Sequence, residues 1–363
     1  MDLIQAGPVV VRPLADSDVE DVVVACNDPL VRRFVTLPGP YTEADARAWL
    51  SEHAPAVEAA GGLERAVADP GTGRLVGAVA VRSLARGCGE VGYWTAPWWR
   101  ARGAATAATR AVTGWAFEHG FARLELHTDP ENGPSQRVAI ASGYTREGLR
   151  RDAGSHGDGS RYDQVLWSRL PADPPGPAPR LLPDLPAGQV SDGTVTLRRL
   201  TPADVDDVYR LQSLPEVVAG QVPAEPRGRD DIVRRCARAE AAWLAGHQAG
   251  MSIRDTGTDA FAGTVGVAYW EPTTGQAMIG YDLAREWRGR GYASRAVRLL
   301  STWVFGHTGI ARLIAGTAPD NVASQRVLEA AGFQREGYPR SRVPGAGGAR
   351  VDDLLYALLP EDR

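Results

Sequence analysis

Two short turns carry the residues best suited to chemistry. One places Arg288, Gly291 and Ala293 in the spacing Arg-x-x-Gly-x-Ala, and the other repeats it with Arg100, Gly103 and Ala105. Each opens an amphipathic run. A turn that feeds a strand into a helix leaves the first helical N–H groups unpaired at the positive end of the helix dipole, where a phosphate fits. Glycine and alanine let a diphosphate approach the backbone without meeting a bulky side chain.

Two familiar phosphate loops fail on composition. All 40 basic residues are arginine, so a Walker-type loop ending in lysine is excluded, as are a lysine Schiff base and a lysine general base. A dinucleotide fingerprint wants a third small residue and an acidic residue about 20 positions on. "GRGYAS" puts Ser294 third, and the segment that follows at that distance, "GIARLI", has no carboxylate.

The rest of the composition narrows the partners. The chain has 363 residues, 44% of them apolar and 23% charged, which suits two soluble globular domains. A net charge of -4 and a pI near 5.9 argue against nucleic acid or anionic membrane as a partner. Cys26, Cys88 and Cys236 are odd in number and far apart, which favours a reducing compartment and argues against a disulfide framework or a cysteine zinc site. No metal is expected, since no His, Cys and carboxylate cluster has ligand spacing. The start "MDLIQAGPVVVRPL" lacks the pattern of a leader, and nowhere do 18 apolar residues run together, so the expectation is a cytoplasmic protein.

The elements that must position the turns come in duplicate. "VVVRPLADSDVEDV" answers "VTLRRLTPADVDDV", "VGYWTAPWWRARGAA" answers "IGYDLAREWRGRGYA", "DPENGPSQRVAIASGYTREG" answers "APDNVASQRVLEAAGFQREG", and "YDQVLWSRLPAD" answers "VDDLLYALLPED". The offsets, from Val9 to Val195, Val91 to Ile279, Asn132 to Asn321 and Tyr162 to Val351, are 186, 188, 189 and 189 residues. Between the copies lie seven prolines from Pro171 to Pro186, too dense for helix or sheet. The expected division is a domain over 1–172, an extended proline-rich linker over 173–192, and a second domain over 193–363.

Within each copy the order is strand, helices, strands, helix, strand, helix, strands, an α/β or α+β arrangement. "FAGTVGVAYW" and "AMIGYDL" read as a hairpin across "EPTTGQ". Ala293, Ala296, Val297, Leu300 and Val304 recur at helical spacing, with Ala105, Ala108, Val112 and Trp115 on the comparable face. Asn321 and Asn132 begin helices that end at Gly332 and Gly143, and each asparagine is an N-cap with a serine in the first turn, Ser324 or Ser135.

"RGRGYA" and "RARGAA", each after a "GY" strand and followed about 30 residues later by Asn-x-x-Ser, resemble the acetyl-CoA-binding core of the Gcn5-related N-acetyltransferase (GNAT) superfamily. The likeness is strongest to the branch that includes the ribosomal-protein N-terminal acetyltransferases, and it extends over nearly all of both halves. It implies two tandem acyl-CoA N-acyltransferase domains, each a mixed central sheet flanked by helices, with acetyl-CoA as co-substrate.

By that resemblance the backbone of Arg100, Ala101, Arg102, Gly103, Ala104 and Ala105 would hold the pyrophosphate in the first copy. Arg288, Gly289, Arg290, Gly291, Tyr292, Ala293 and Ser294 would do so in the second. The strand residues Tyr93, Trp94, Tyr281 and Leu283, with Asn132 and Asn321, complete the implied cofactor set. Ser135 and Ser324 would stand near the CoA sulfur, where a hydroxyl can protonate the departing thiolate. Glu90 occupies a position where the resembled family often has a carboxylate able to take the amine's proton, and Met278 replaces it in the second copy. Asp282, which matches Trp94, is the substitute there, while His127 is a further titratable group.

Asp28 to Leu50 resembles the helix, loop and helix that cover the acceptor site. The second copy carries a longer version with Arg227, Arg229 and Arg234, suited either to an acidic acceptor or to solvent. "RDAGSHGDGS" and "SRVPGAGGAR" would border the cleft as hairpins. The expected partner is a primary amine on a small molecule, such as an antibiotic or its precursor, or on a peptide or protein N-terminus. Other readings stay open: one half as a non-catalytic CoA-binding or structural module, another acyl donor, a hydroxyl acceptor, and a homodimer.

Overall fold

The computed structural model describes residues 3–156, 159–345 and 348–362. It divides into two units, Met1–Pro179 and Arg180–Arg363. The first contains β1 (Ile4–Ala6), β2 (Val9–Arg12), α1 (Val19–Cys26), α2 (Pro29–Phe34), α3 (Glu43–Ala48), α4 (Ala54–Ala59), β3 (Leu63–Ala68), β4 (Leu75–Ser83) and β5 (Cys88–Thr95). It continues with α5 (Ala104–Glu118), β6 (Arg123–Thr128), α6 (Gly133–Ala141), β7 (Thr145–Ser155) and β8 (Arg161–Arg169). Its eight strands lie in the order β1-β2-β3-β4-β5-β6-β8-β7. All neighbours are antiparallel except β5 and β6, so the sheet is mixed.

The second unit repeats this plan. It has β9 (Gln189–Ser191), β10 (Val195–Arg199), α7 (Val205–Gln212), α8 (Pro215–Val218), α9 (Arg229–Ala237), α10 (Ala239–Leu244), β11 (Gln248–Asp255), β12 (Phe261–Glu271) and β13 (Gln276–Leu283). Then come α11 (Tyr292–His307), β14 (Arg312–Thr317), α12 (Val322–Ala330), β15 (Gln334–Gly337), β16 (Val343–Pro344), β17 (Arg350–Val351) and β18 (Leu354–Leu358). The sheet order is β15-β18-β14-β13-β12-β11-β10-β9, again with one parallel pair, β13 and β14.

Periodicity explains the layering. On α11, Ala293, Ala296, Val297, Leu300, Trp303 and Val304 form one buried stripe against the sheet. Each large side chain there contributes roughly 1.5–3 kcal/mol through removal from water. On α5 the stripe is Ala104, Ala108, Val112 and Trp115; Ala105, expected on it, is only half-buried one position away. β4, almost continuously apolar, is buried from Leu75 to Val81 because helices cover both faces. The opposite face of the first sheet is covered by α1 and α3 through Val19, Val22, Cys26, Tyr41 and Ala46.

The proline-rich segment, expected as a stiff, extended linker over 173–192, is held by contacts along its length. Prolines keep its first part out of helix and sheet, yet Ala178 donates its N–H to Ile140 in the first unit. Leu182 and Leu185 are buried in the second unit's core, and Trp243 Nε1 donates to the Pro183 carbonyl at 2.8 Å. Gln189–Ser191 is the edge strand of the second sheet, turned onto β10 through Gly193 at φ 86°. The second unit therefore begins before residue 193, because apolar side chains between the prolines have a core to enter.

Candidate active site

In each unit the two parallel strands separate after three residue pairs. β5 meets β6 only through Cys88, Gly89 and Glu90, then runs on to Thr95 paired with β4 alone. β13 meets β14 only through Gln276, Ala277 and Met278, then runs on to Leu283 paired with β12. A cleft therefore opens in mid-sheet beside Gly92 and Gly280. Both glycines are exposed although they lie on central strands, and a Cβ at either would meet nothing within 4 Å. A ligand with an extended chain can lie beside this free strand edge as an added strand would.

The cleft leads to the glycine turns. Gly103 and Gly291 are the N-cap residues of α5 and α11, at φ 79° and 77°, a left-handed conformation natural to glycine. Two positions earlier, Gly289 is also left-handed at φ 73°, and its match Ala101 holds φ 60°. An alanine in that region carries about 1–2 kcal/mol of strain, the kind of strain that collects at binding sites. A Cβ at Gly103 or Gly291 would meet nothing within 4 Å, so space is open on that side of each turn. Arg102 lies over the Trp99 ring and Arg290 over the Trp287 ring. Tyr292 is turned inward, donates its hydroxyl to Asp255 and packs on Trp287, so only its backbone borders the turn. Ala293 is buried beside it, while the Ser294 hydroxyl donates back to the Gly291 carbonyl.

On the α5 side of the cleft each unit repeats one hydrogen-bonded group. Tyr93 Oη lies 2.8 Å from Ser135 Oγ, and Tyr281 Oη 2.8 Å from Ser324 Oγ. Each tyrosine also donates to its serine's carbonyl. Burial pushes the Tyr281 phenol up to about 12 and raises that of Tyr93 as well, so both are neutral donors. Asn132 and Asn321 accept the N–H of Ser135 and Ser324 at 3.1 Å, which fixes the first turn of α6 and α12. The serines are thus oriented from two directions.

The other face holds the carboxylates, and there the two units part company. In the first sheet Glu64, Ala80 and Gly92 lie directly opposite one another, with Arg82 opposite Glu90 in the next row and Ala66, Ala78 and Trp94 in the row on the other side. Directly opposed residues share a face, so all of these groups look toward α1–α4. Trp94, expected in the cofactor set, accordingly turns its ring to Trp49, with centroids 6.5 Å apart, and away from the face that carries Tyr93. Glu90 Oε1 lies 3.3 Å from His127 Nδ1, and Arg150 donates to His127 Nε2. This contact holds the Glu90 carboxyl below the usual carboxylate range despite partial burial. In the second sheet the matching rows are Gly250, Gly266 and Gly280, then Ser252, Thr264 and Asp282, then Gln248, Ala268 and Met278. Burial raises the Asp282 carboxyl, opposed by Arg235, Arg227 and Arg288.

The cover is tied to the turn in both units. Arg100 is paired with Asp28, which caps α2 by accepting from Leu30 and Val31. Arg288 reaches Glu216 on α8 at 3.3 Å and donates to the Leu283 carbonyl. Arg229 and Arg234 are engaged with Asp206 and Asp231, which leaves Arg227 and the unanticipated Arg235 facing Asp282. β7 and β8 form the expected hairpin, and β16 and β17 form the second; the tips at 157–158 and 346–347 lie outside the described residues. Among the described residues no group of three His, Cys, Asp or Glu is placed to hold a metal ion, and no helix is long and apolar enough to cross a membrane.

Sequence reasoning passed over Glu64. It is 6% exposed, its Oε2 has no hydrogen-bond partner, and burial lifts its carboxyl to about 7. The one available signal was the pair Glu64 and Arg65 in the otherwise apolar run "LERAVA"; in the structure all six positions are buried.

Comparison with known proteins agrees with this architecture. The profile of the "Acetyltransferase (GNAT) domain" family matches residues 9–145 and 194–334. The chain is 40% identical over 86 residues to the probable N-acetyltransferase YjcK of Bacillus subtilis, covering 24% of this chain and 48% of that one. It is 35% identical over 105 residues to the uncharacterized N-acetyltransferase p20 of Bacillus licheniformis, covering 29% and 58%. The chain thus spans about half the length of these curated relatives. Among solved structures, Mycobacterium smegmatis RimJ in complex with CoA-disulfide is 22% identical, with 48% of this chain and 86% of that one covered and a TM-score of 0.42. With the family profile matched over both copies of the cleft and turn, the chain belongs to the GNAT acetyltransferase family and carries its domain twice.

Proposed function

We infer that the protein moves an acetyl group from acetyl-CoA to a primary amine by direct attack, each unit acting as a separate domain with its own donor site. The observation that carries this reading is the repeated combination of a strand splayed at Gly92 or Gly280 with a left-handed turn at Gly103 or Gly291. In this reading the N–H groups of 100–106 and 288–294 receive the pyrophosphate, and the free edges of 92–95 and 280–283 align the pantetheine. Ser135 and Ser324 protonate the thiolate. The amine approaches from the face that carries Glu90 or Asp282, on a small molecule or at a peptide N-terminus.

Isothermal titration with acetyl-CoA tests the donor half. About two sites per chain are expected, falling to one in Gly103→Val and in Gly291→Val, whose side chains would enter the turn in a conformation valine avoids. Thiol release over a panel of peptides, aminoglycosides and polyamines tests the acceptor half. Absence of binding, or thiol release that no amine accelerates, would refute the reading.

A second reading, in which the second unit binds CoA without turnover, is favoured by one comparison. Gly250, Met278 and Gly316 stand where the first unit has Glu64, Glu90 and His127. Full activity in Gly291→Val with two-site binding in the unaltered protein would support it.

A further inference from the structure

The first unit places two carboxylates on its acceptor face, in adjacent rows of the sheet, and their surroundings differ. Glu90 is already engaged by His127 and partly open to solvent. Glu64 is sealed beneath the helical cover. Between α3 and α4 the helix widens into a π turn, Trp49–His53, and this turn sets both Trp49 and His53 over Glu64. Such turns are rare and recur at functional sites. His53 Nε2 is 3.9 Å from the unpartnered Glu64 Oε2, while the His53 side chain is half exposed. Glu64 thus shares the row of Gly92 while one half-exposed imidazole approaches its carboxylate from outside.

Resting on the acetyl-transfer reading of this cleft, we propose that Glu64 is the proton acceptor of the first unit and that His53 passes the proton to solvent, with Glu90 serving to orient His127. Glu64 lies two strands from Gly92, about 10 Å along the sheet, so the proton crosses bridging water. The acceptor ammonium gives one proton to the Glu64 carboxylate, which hands it to His53. The freed nitrogen pair forms the N–C bond to the acetyl carbonyl carbon, the C–S bond breaks, and Ser135 gives its hydroxyl proton to the sulfur, which leaves as thiol, while taking the second N–H proton in its place.

The charged groups around Glu64 fit this role. Arg82 on β4 and Arg65 on its own strand favour the carboxylate, Glu58 on α4 opposes it, and Tyr41 and His53 complete the ring of titratable neighbours. Burial outweighs the two arginines and the Trp49 hydrogen bond and leaves Glu64 near 7, where a general base works best at neutral pH, whereas the His127 contact holds Glu90 low. Two carboxylates pushed apart in this way divide their duties. The second unit, with Gly250 at this position, has no equivalent relay.

The test uses the full chain carrying Gly291→Val, so that the first unit alone turns over, and follows kcat/KM for a reactive amine against pH. A limb rising through about 7 is expected. Glu64→Gln should remove that limb and lower kcat/KM at pH 7 about 100-fold, with acetyl-CoA affinity unchanged by titration. Glu90→Gln should keep the limb. His53→Ala, at a half-exposed site that leaves the fold intact, should lower kcat several-fold and be restored by added imidazole. A limb near 7 that survives Glu64→Gln, or a His53→Ala rate indifferent to imidazole, overturns the assignment. Failure of the unaltered protein to bind acetyl-CoA would instead overturn the transferase reading and this one with it.

Discussion

Replacing Glu64 with glutamine removes one ionisation and keeps the shape of the side chain, so it tests burial apart from any catalysis. Burial lifts the Glu64 carboxyl from an ordinary 4.5 to about 7, and in the unfolded chain it returns to the ordinary value. Between those values the folded protein keeps a proton that the unfolded chain has released. The contribution to stability is therefore full below the unfolded value and is lost as pH rises through about 7. The interval of about 2.5 pH units corresponds to ~3 kcal/mol, of which about 2.5 kcal/mol falls between pH 5 and pH 8. For a unit of this size that is a shift of about 5–10 °C in Tm. Calorimetric unfolding of both proteins at pH 5 and pH 8 measures it, and the packing of the new amide cancels because it is the same at both. The variant should gain on the parent protein by that amount at pH 8 relative to pH 5. An equal difference at the two pH values would mean that the buried Glu64 ionises like a solvated one, and the reasoning would fail.

Tyr93→Phe and Tyr281→Phe each remove a phenol 2.8 Å from a serine hydroxyl. Each should destabilise its unit by ~1 kcal/mol and lower kcat in steady-state assays while KM for acetyl-CoA holds. Asp28→Ala takes away the α2 cap together with the partner of Arg100, and urea unfolding should show a loss of about 1–2 kcal/mol in the first unit. Asp28→Asn, which keeps a capping oxygen, should recover most of it.

What the sequence made legible was local. The duplication, the glycine turns and the asparagine caps follow from residue types a few positions apart, and the left-handed φ at Gly103 and Gly291 is what such a turn demands. Glu64 was not legible, because its burial depends on a π turn at Trp49–His53, earlier in the chain, that sets Trp49 and His53 over it. Nor was Arg235, whose approach to Asp282 is set by the packing of α9. The edge strand Gln189–Ser191 had a local sign, Asp192 and Gly193 as a hairpin turn, which the proline density beside it obscured.

The placement of Leu182, Leu185 and Gln189–Ser191 bears on how such a chain can be inherited. The second unit supplies its own lead-in strand, as Ile4–Ala6 does for the first, and closes its core with residues from the joining segment. Each copy thus carries its own edge strand and core. A lineage holding both is free to tune one acceptor face while its twin keeps the ancestral task, and the glycine row opposite the glutamate row is what that freedom would leave behind.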